Sequence, residues 1–239
     1  MDENRRKRPV PALTSRQSTA ERILALVWLP IHLFLLPLLA IRLFPTMEES
    51  WLNVVIYGTG AVYMVATQFR FLRRDFDPLC DHPFRMLLEV LVSYGAMLLL
   101  NMGVNGILLA LMGGLEENPN NAAVVDMALV SSGPVAALAV FLAPLVEEPL
   151  FRAGIFGTLR RKSRPAAYLV SMLLFAAYHV WSYAQIDPMA WVYLVQYLPI
   201  SFLLCRVYER TDSIWGSILL HMLVNYIALN ALTMLEKIL

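Results

Sequence analysis

Seven runs of apolar residues divide the chain: Ile23 to Phe44, Trp51 to Thr67, Met86 to Gly113, Gly133 to Thr158, Ala166 to Ser182, Met189 to Val207 and Ser213 to Leu235. Each lies near the roughly 20 residues that a helix needs to cross a bilayer, and none has the short alternating period of a strand. The pattern therefore predicts membrane-crossing helices. The first run follows Arg5, Arg6, Lys7 and Arg8 and has the look of a secretory signal, but it is too long for an h-region and lacks a small-residue cleavage site, so it reads as a retained helix. Pro30 and Pro37 are expected to kink it. Residues 118–132 begin polar and turn apolar around Asp126, which leaves a loop, an interfacial helix or an eighth span open. The predicted fold class is an all-α polytopic transmembrane bundle of seven spans, or eight, around an intramembrane polar cavity.

Composition sharpens that picture. Of 239 residues, 59% are hydrophobic and 15% charged, against about 45–50% and about 25% in soluble domains, which excludes disorder and disfavours a soluble globule. A net charge of +1 gives no field for a nucleic-acid partner. Cys80 and Cys205 make neither a disulfide framework nor a metal spacing, and Cys80-Asp81-His82 reads as a solvated loop. The connections alternate in charge. Basic residues fill the N-terminal arm and the second, fourth and sixth connections (Arg73 and Arg74, Arg160 to Lys162, Arg206 and Arg210), whereas Glu48, Glu116, Glu117 and Asp187 mark the others. By the positive-inside rule the N-terminus is cytoplasmic and the C-terminus outside, with Arg42 as an exception. A compact chain without an organelle-targeting extension suggests a bacterial inner membrane, with the endoplasmic reticulum as the alternative. Trp28, Trp51, Trp181, Trp191 and Trp215 fall where an aromatic belt is expected, and His32 reads as packing or interfacial.

Ionisable residues inside spans are costly and mark function by default. The fourth run holds Glu147-Glu148-Pro-Leu-Phe-Arg152, the fifth Phe175-Ala-Ala-Tyr-His179, and the seventh His221-Met-Leu-Val-Asn225. Glu148 and Arg152 are i and i+4 and can neutralise one another, which leaves Glu147, about 100° away, free for chemistry. His221 and Asn225 share a face by the same spacing, and Phe175 can pack beside His179. At about 1.5 Å of rise per residue from the basic connections, Glu147, His179, His221 and Asn225 reach overlapping depths near the middle of the bilayer. No Ser or Cys is suitably placed as a nucleophile. A desolvated carboxylate with a neighbouring imidazole can instead activate water, while the second His and the Asn donate to the oxyanion formed on an amide carbonyl.

At these residues the chain resembles the CPBP family of intramembrane proteases, also called the CAAX protease or Abi family, which includes the type II CAAX prenyl endopeptidases. The family motifs Glu-Glu-x-x-x-Arg, Phe-x-x-x-His and His-x-x-x-Asn/Asp occur here in order, across about Gly133 to Asn230. The resemblance implies that Glu147 and His179 activate water, that His221 and Asn225 form the oxyanion site, and that Glu148, Arg152 and Phe175 give structural support. It further implies a membrane-anchored substrate, prenylated at a CAAX end in the best-understood members, with no cofactor required. Zinc held by Glu147, His179 and His221 is the alternative, disfavoured because no His-Glu-x-x-His helix is present. The chain then divides into a basic arm (1–22), N-terminal helices (23–132), a catalytic helical core (133–235) and a tail (236–239). A transporter, or a non-catalytic scaffold or immunity protein using the same polar layer, is the rival reading.

Overall fold

A computed structural model describes residues 13–113, 118–130 and 132–236, and every regular element among them is helical. Arg5 to Arg8, Glu116, Glu117 and residues 237–239, on which part of the charge reading rests, lie outside the described residues. Seven helices are long and apolar enough to cross a membrane: Thr19–Leu43, Glu49–Arg74, Pro83–Met112, Gly133–Leu159, Arg164–Ala184, Pro188–Thr211 and Ile214–Ala231, counted below as the first to seventh spans. The protein is an integral membrane protein. The stretch between the third and fourth spans contains the helix Pro119–Val130, whose 12 residues rise only about 18 Å, too short to cross. It packs against the second, fourth, fifth and seventh spans within the bundle instead of forming an eighth span.

Spans from both halves of the chain share one apolar core. Ala25, Trp28, Ala61, Met64, Val90 and Met97 pack with Val146, Leu150, Phe175, Leu204 and Leu220. The outward faces of the spans carry exposed Leu, Ile, Val and Phe, the surface expected where lipid is the solvent. Trp51, Trp181 and Trp191 are exposed, in keeping with an aromatic belt, but Trp28 is not. Its ring is buried and stacks on Tyr63 at 4.4 Å between centroids, because the first span turns that face toward the second. His32 is likewise buried, edge-on to Tyr57.

The second span comes unusually close to the fourth at Gly60. A Cβ there would stand 3.0 Å from Val146 Cγ2 and 3.2 Å from Trp28 Cζ2, whereas one at Gly58 would meet nothing within 4 Å. Gly60→Leu is therefore expected to destabilise by about 1–3 kcal/mol through overpacking. Thermal unfolding in detergent should register this loss, with Gly58→Leu close to wild type.

Prolines shape the spans more specifically than by kinking. A proline has no N–H to return to the carbonyl four residues earlier, and one remedy is a single wide turn with i to i+5 bonds. Such π-helical segments occur at Ile31–Leu35, Leu138–Leu142 and Pro149–Phe156, beside Pro37, Pro144 and Pro149.

The end of the bundle that carries the basic connections is closed by a buried polar network. Ser15 donates its hydroxyl to Asp75, Tyr208 donates to the Ser15 carbonyl (2.9 Å), and the Ile214 N–H donates to Asp75 Oδ2 (3.0 Å). The Thr14 and Ser15 N–H groups both reach Asp212 Oδ1 at 2.8 Å, and Gln17 Nε2 bridges Gln68 and the Pro149 carbonyl. Burial, opposed by the Ser15 and Ile214 hydrogen bonds, pushes the Asp75 carboxyl up from 3.8 to about 6. A folded-state value above the unfolded one means that the contribution is complete below about pH 4 and is lost as pH rises through about 6. That window is worth on the order of 3 kcal/mol at about 1.4 kcal/mol per pH unit. Unfolding temperatures between pH 4.5 and 7 should therefore fall with rising pH in the wild type and vary less in Asp75→Asn.

Candidate active site

The fourth, fifth and seventh spans meet at the middle of the bundle. The six residues Ala143–Glu148 link the two wide turns of the fourth span, and both acidic residues end this link fully inside the protein. The two carboxylates then diverge. Glu148 Oε2 lies 3.1 Å from Arg152 Nε, and the guanidinium rests 4.2 Å from the centroid of Phe175. Glu148 also accepts from Ser217 Oγ at 2.5 Å and from His221 Nδ1 at 2.8 Å. Every one of these groups is buried, so the charges are compensated within the cluster and not by solvent.

Glu147 faces the other way. Its Oε2 is buried, has no hydrogen-bond partner, and stands 3.7 Å from His179 Nε2 and 3.9 Å from His221 Nε2. Those separations exceed a direct hydrogen bond. Both rings are held from behind. His179 Nδ1 is 2.9 Å from the Phe175 carbonyl, which can only accept, so the proton sits on Nδ1 and the Nε2 lone pair faces Glu147. His221 donates from Nδ1 to the Glu148 carboxylate, which orients its Nε2 toward the same point. Phe175 packs 4.4 Å from the His179 ring and Tyr197 stacks on its other side at 4.7 Å, which confines the ring.

Asn225 is positioned by the wide turn in the fourth span. The Ala143 N–H bonds back to the Leu138 carbonyl, and Pro144 has no N–H to offer, so the Ala139 carbonyl is left without a helical donor. Asn225 Nδ2 donates to it at 2.8 Å. One amide hydrogen and the Oδ1 atom remain for a ligand.

All four residues line one cavity of about 830 Å³, together with Tyr57, Phe175 and a set of amides: Asn101, Asn105, Asn118, Asn120, Asn121 and Gln196. Glu148 and Arg152 do not line it. Sequence reasoning missed Ser217, which lies four residues before His221 on the same helix face and could have been found by extending that spacing one turn. It also missed the His221–Glu148 bond. Among the described residues, no group of three or more His, Cys, Asp or Glu side chains is arranged to hold a metal ion.

Residues 130–227 match the family model described as type II CAAX prenyl endopeptidase Rce1-like, and all three motifs fall inside that range. Over this segment the chain resembles the Rce1-like family. The matched segment supplies every side chain around Glu147 named above except Tyr57, the amides of the third span, and Asn118, Asn120 and Asn121 after it. The chain is also similar to UPF0177 protein YxdF of Lactococcus lactis subsp. lactis (strain IL1403), 35% identical over 95 residues, which cover 40% of this chain. The chain spans about half the length of that curated relative, 48% of it. No solved structure matches the chain.

Proposed function

We propose that the protein is an intramembrane endopeptidase that hydrolyses a peptide bond of a membrane-anchored substrate with a water activated by Glu147 and His179. The observation that carries this reading is the unpartnered Glu147 oxygen, facing a cavity and within 4 Å of two imidazole nitrogens that are each fixed through their other nitrogen. Glu147 Oε2 and His179 Nε2 are two acceptors too far apart to bond one another and close enough for one water to donate to both. As that water attacks the carbonyl carbon, its proton passes to Glu147 and the new C–O bond leaves negative charge on the carbonyl oxygen. The remaining Asn225 N–H and a proton on His221 Nε2 are the donors for that oxyanion. Glu148 holds His221 Nδ1 and offsets Arg152, while the Glu147 carboxylate, 3.9 Å from His221 Nε2, is the negative group facing that nitrogen. Glu147 then returns its proton to the leaving amine as the C–N bond breaks.

No step requires a cofactor. A water bridging Glu147 and His179 uses the same atoms that would otherwise take a zinc ion, so proteolysis is expected to persist in a zinc chelator. Loss on chelation with recovery on adding zinc would transfer the water to a metal. The substrate is expected to be anchored in the bilayer, since the reacting groups are mid-span, and a prenylated CAAX end is the form suggested by the family description. The test is cleavage of membrane-anchored peptides, prenylated and not, by purified protein, with wild type compared to Glu147→Gln. Turnover preserved in the variant rejects the mechanism.

A further inference from the structure

The cavity is not symmetric across the bundle. The span residues lining it come from the middle of a span, from the half adjoining the first, third and fifth connections or, in the seventh span, from the half toward its C-terminal end. Tyr57 lies early in the second span, Asn101 and Asn105 late in the third, His179 late in the fifth and Gln196 early in the sixth. Asn118 to Asn121 belong to the third connection itself, and Asn105 and Asn121 on the rim are exposed. The opposite half is filled by Phe71, Phe151, Phe156 and Tyr208, all buried, and is capped by the Ser15–Asp75 and Gln17–Gln68 network. That sealed end carries Arg73, Arg74, Arg160, Arg161, Lys162 and Arg210. The open end has Glu48 and Asp187 at its connections, and Arg42 as its basic residue in the first span.

The chemistry of the mouth is as one-sided as its position. Among the described residues, Glu147 and the two histidines are the ionisable acid and imidazole groups that line the cavity, and no Lys or Arg does. A site for a free α-carboxylate or a phosphate needs a cation, which this lining does not offer. In its place stands a chain of amides: Asn118 donates to Gln196 Oε1 (2.8 Å), and Gln196 donates to Asn105 Oδ1 (3.1 Å). Asn101 Oδ1 beside them is buried with no partner. Carboxamides repeat the donors and acceptors of a peptide group, so an extended backbone can satisfy them without any charged side chain.

Resting on the protease reading above, we infer that the cavity admits an extended, uncharged internal peptide segment from the non-cytoplasmic face of the membrane, held by its backbone on Asn101, Asn105 and Gln196. Cytoplasmic loops concentrate Lys and Arg, so the sealed basic end is the cytoplasmic one and the amide-lined mouth opens away from it. A lipidated cysteine displayed in the cytoplasm then stands on the wrong side. The substrate is instead a membrane-anchored chain whose cleaved segment lies outside.

Two sided measurements test this. In intact spheroplasts a membrane-impermeant maleimide should label Asn121→Cys made in a Cys80→Ser background, whereas the native Cys80, exposed beside the basic second connection, should label only after permeabilisation. The reverse pattern overturns the inference, whatever the chemistry of the site. In detergent, where both faces are open, cleavage of anchored neutral peptides that depends on Glu147 tests the protease reading alone. In proteoliposomes of known orientation, the same peptides should be cut when presented at the Asn121 face and spared at the Cys80 face. Cleavage from the Cys80 face rejects the sidedness and leaves the protease reading standing. Asn105→Leu with Gln196→Leu should raise KM about tenfold or more with little change in kcat, on a loss of about 1 kcal/mol per hydrogen bond. An unchanged KM removes the amides from substrate binding.

Discussion

Glu147→Gln lowers peptide cleavage by a factor of about 10²–10⁴, the range that a positioned general base contributes, and leaves the fold intact. Glutamine keeps the volume and shape of the side chain but cannot take the proton of the attacking water. The second half of the expectation follows from the surroundings of Glu147. Its Oε2 makes no hydrogen bond, and the imidazoles stand at 3.7 and 3.9 Å, so neutralising it orphans no buried partner. Unfolding temperature should match or exceed that of the wild type, because a buried ionisable group without a direct partner is replaced by a neutral one. Activity in detergent and thermal unfolding measured on the same preparation separate the two effects. A variant that loses its fold instead of its turnover would make Glu147 a structural residue.

Arg152→Ala gives the opposite result, a loss of about 3–5 kcal/mol of stability, the cost of leaving one member of a buried ion pair behind. Here the partners are close and enclosed. Glu148 and Arg152 are both 0% exposed, and the guanidinium also fills the face of Phe175. Removing it strips the counter-charge from Glu148 and support from the ring that packs on His179. The double variant Glu148→Gln, Arg152→Met should recover most of the lost stability, since neither charge remains to be compensated. Its turnover should stay low, because His221 no longer donates to a carboxylate and its ring is no longer held toward Glu147. A double variant as unstable as Arg152→Ala would show that packing, and not charge, dominates there. Recovery of turnover would release His221 from its dependence on Glu148.

Much of this was legible in the chain itself. Transfer of apolar side chains out of water depends on local composition, so seven spans could be counted by inspection, and seven are found among the described residues. Helical periodicity is equally local. It separated Glu148 and Arg152 from Glu147 before any tertiary contact was known, and the ion pair at 3.1 Å follows that spacing. Distances along helix axes brought Glu147, His179, His221 and Asn225 to similar depth, and the cavity lining joins them.

The rotation of each helix about its own axis, and the residue of a neighbouring helix that it meets, carry no local signal. Trp28 reads as a belt residue by position, yet the first span turns it inward onto Tyr63. His221 and Asn225 read as a pair aimed at one point, but each has one polar group committed elsewhere, to Glu148 and to the Ala139 carbonyl. The latter contact exists because Pro144 and a wide turn strand a carbonyl on the fourth span, opposite an amide on the seventh. The sequence alone determined a seven-span helical protein with acid, imidazole and amide groups at a common depth. Only the tertiary structure decided that Glu148 also holds Ser217 and His221, that Asn225 is tied to the Ala139 carbonyl, and which amides join Glu147 around one cavity. Those outcomes depend on packing between spans distant in the chain, where a small change in helix rotation exchanges a buried partner for lipid.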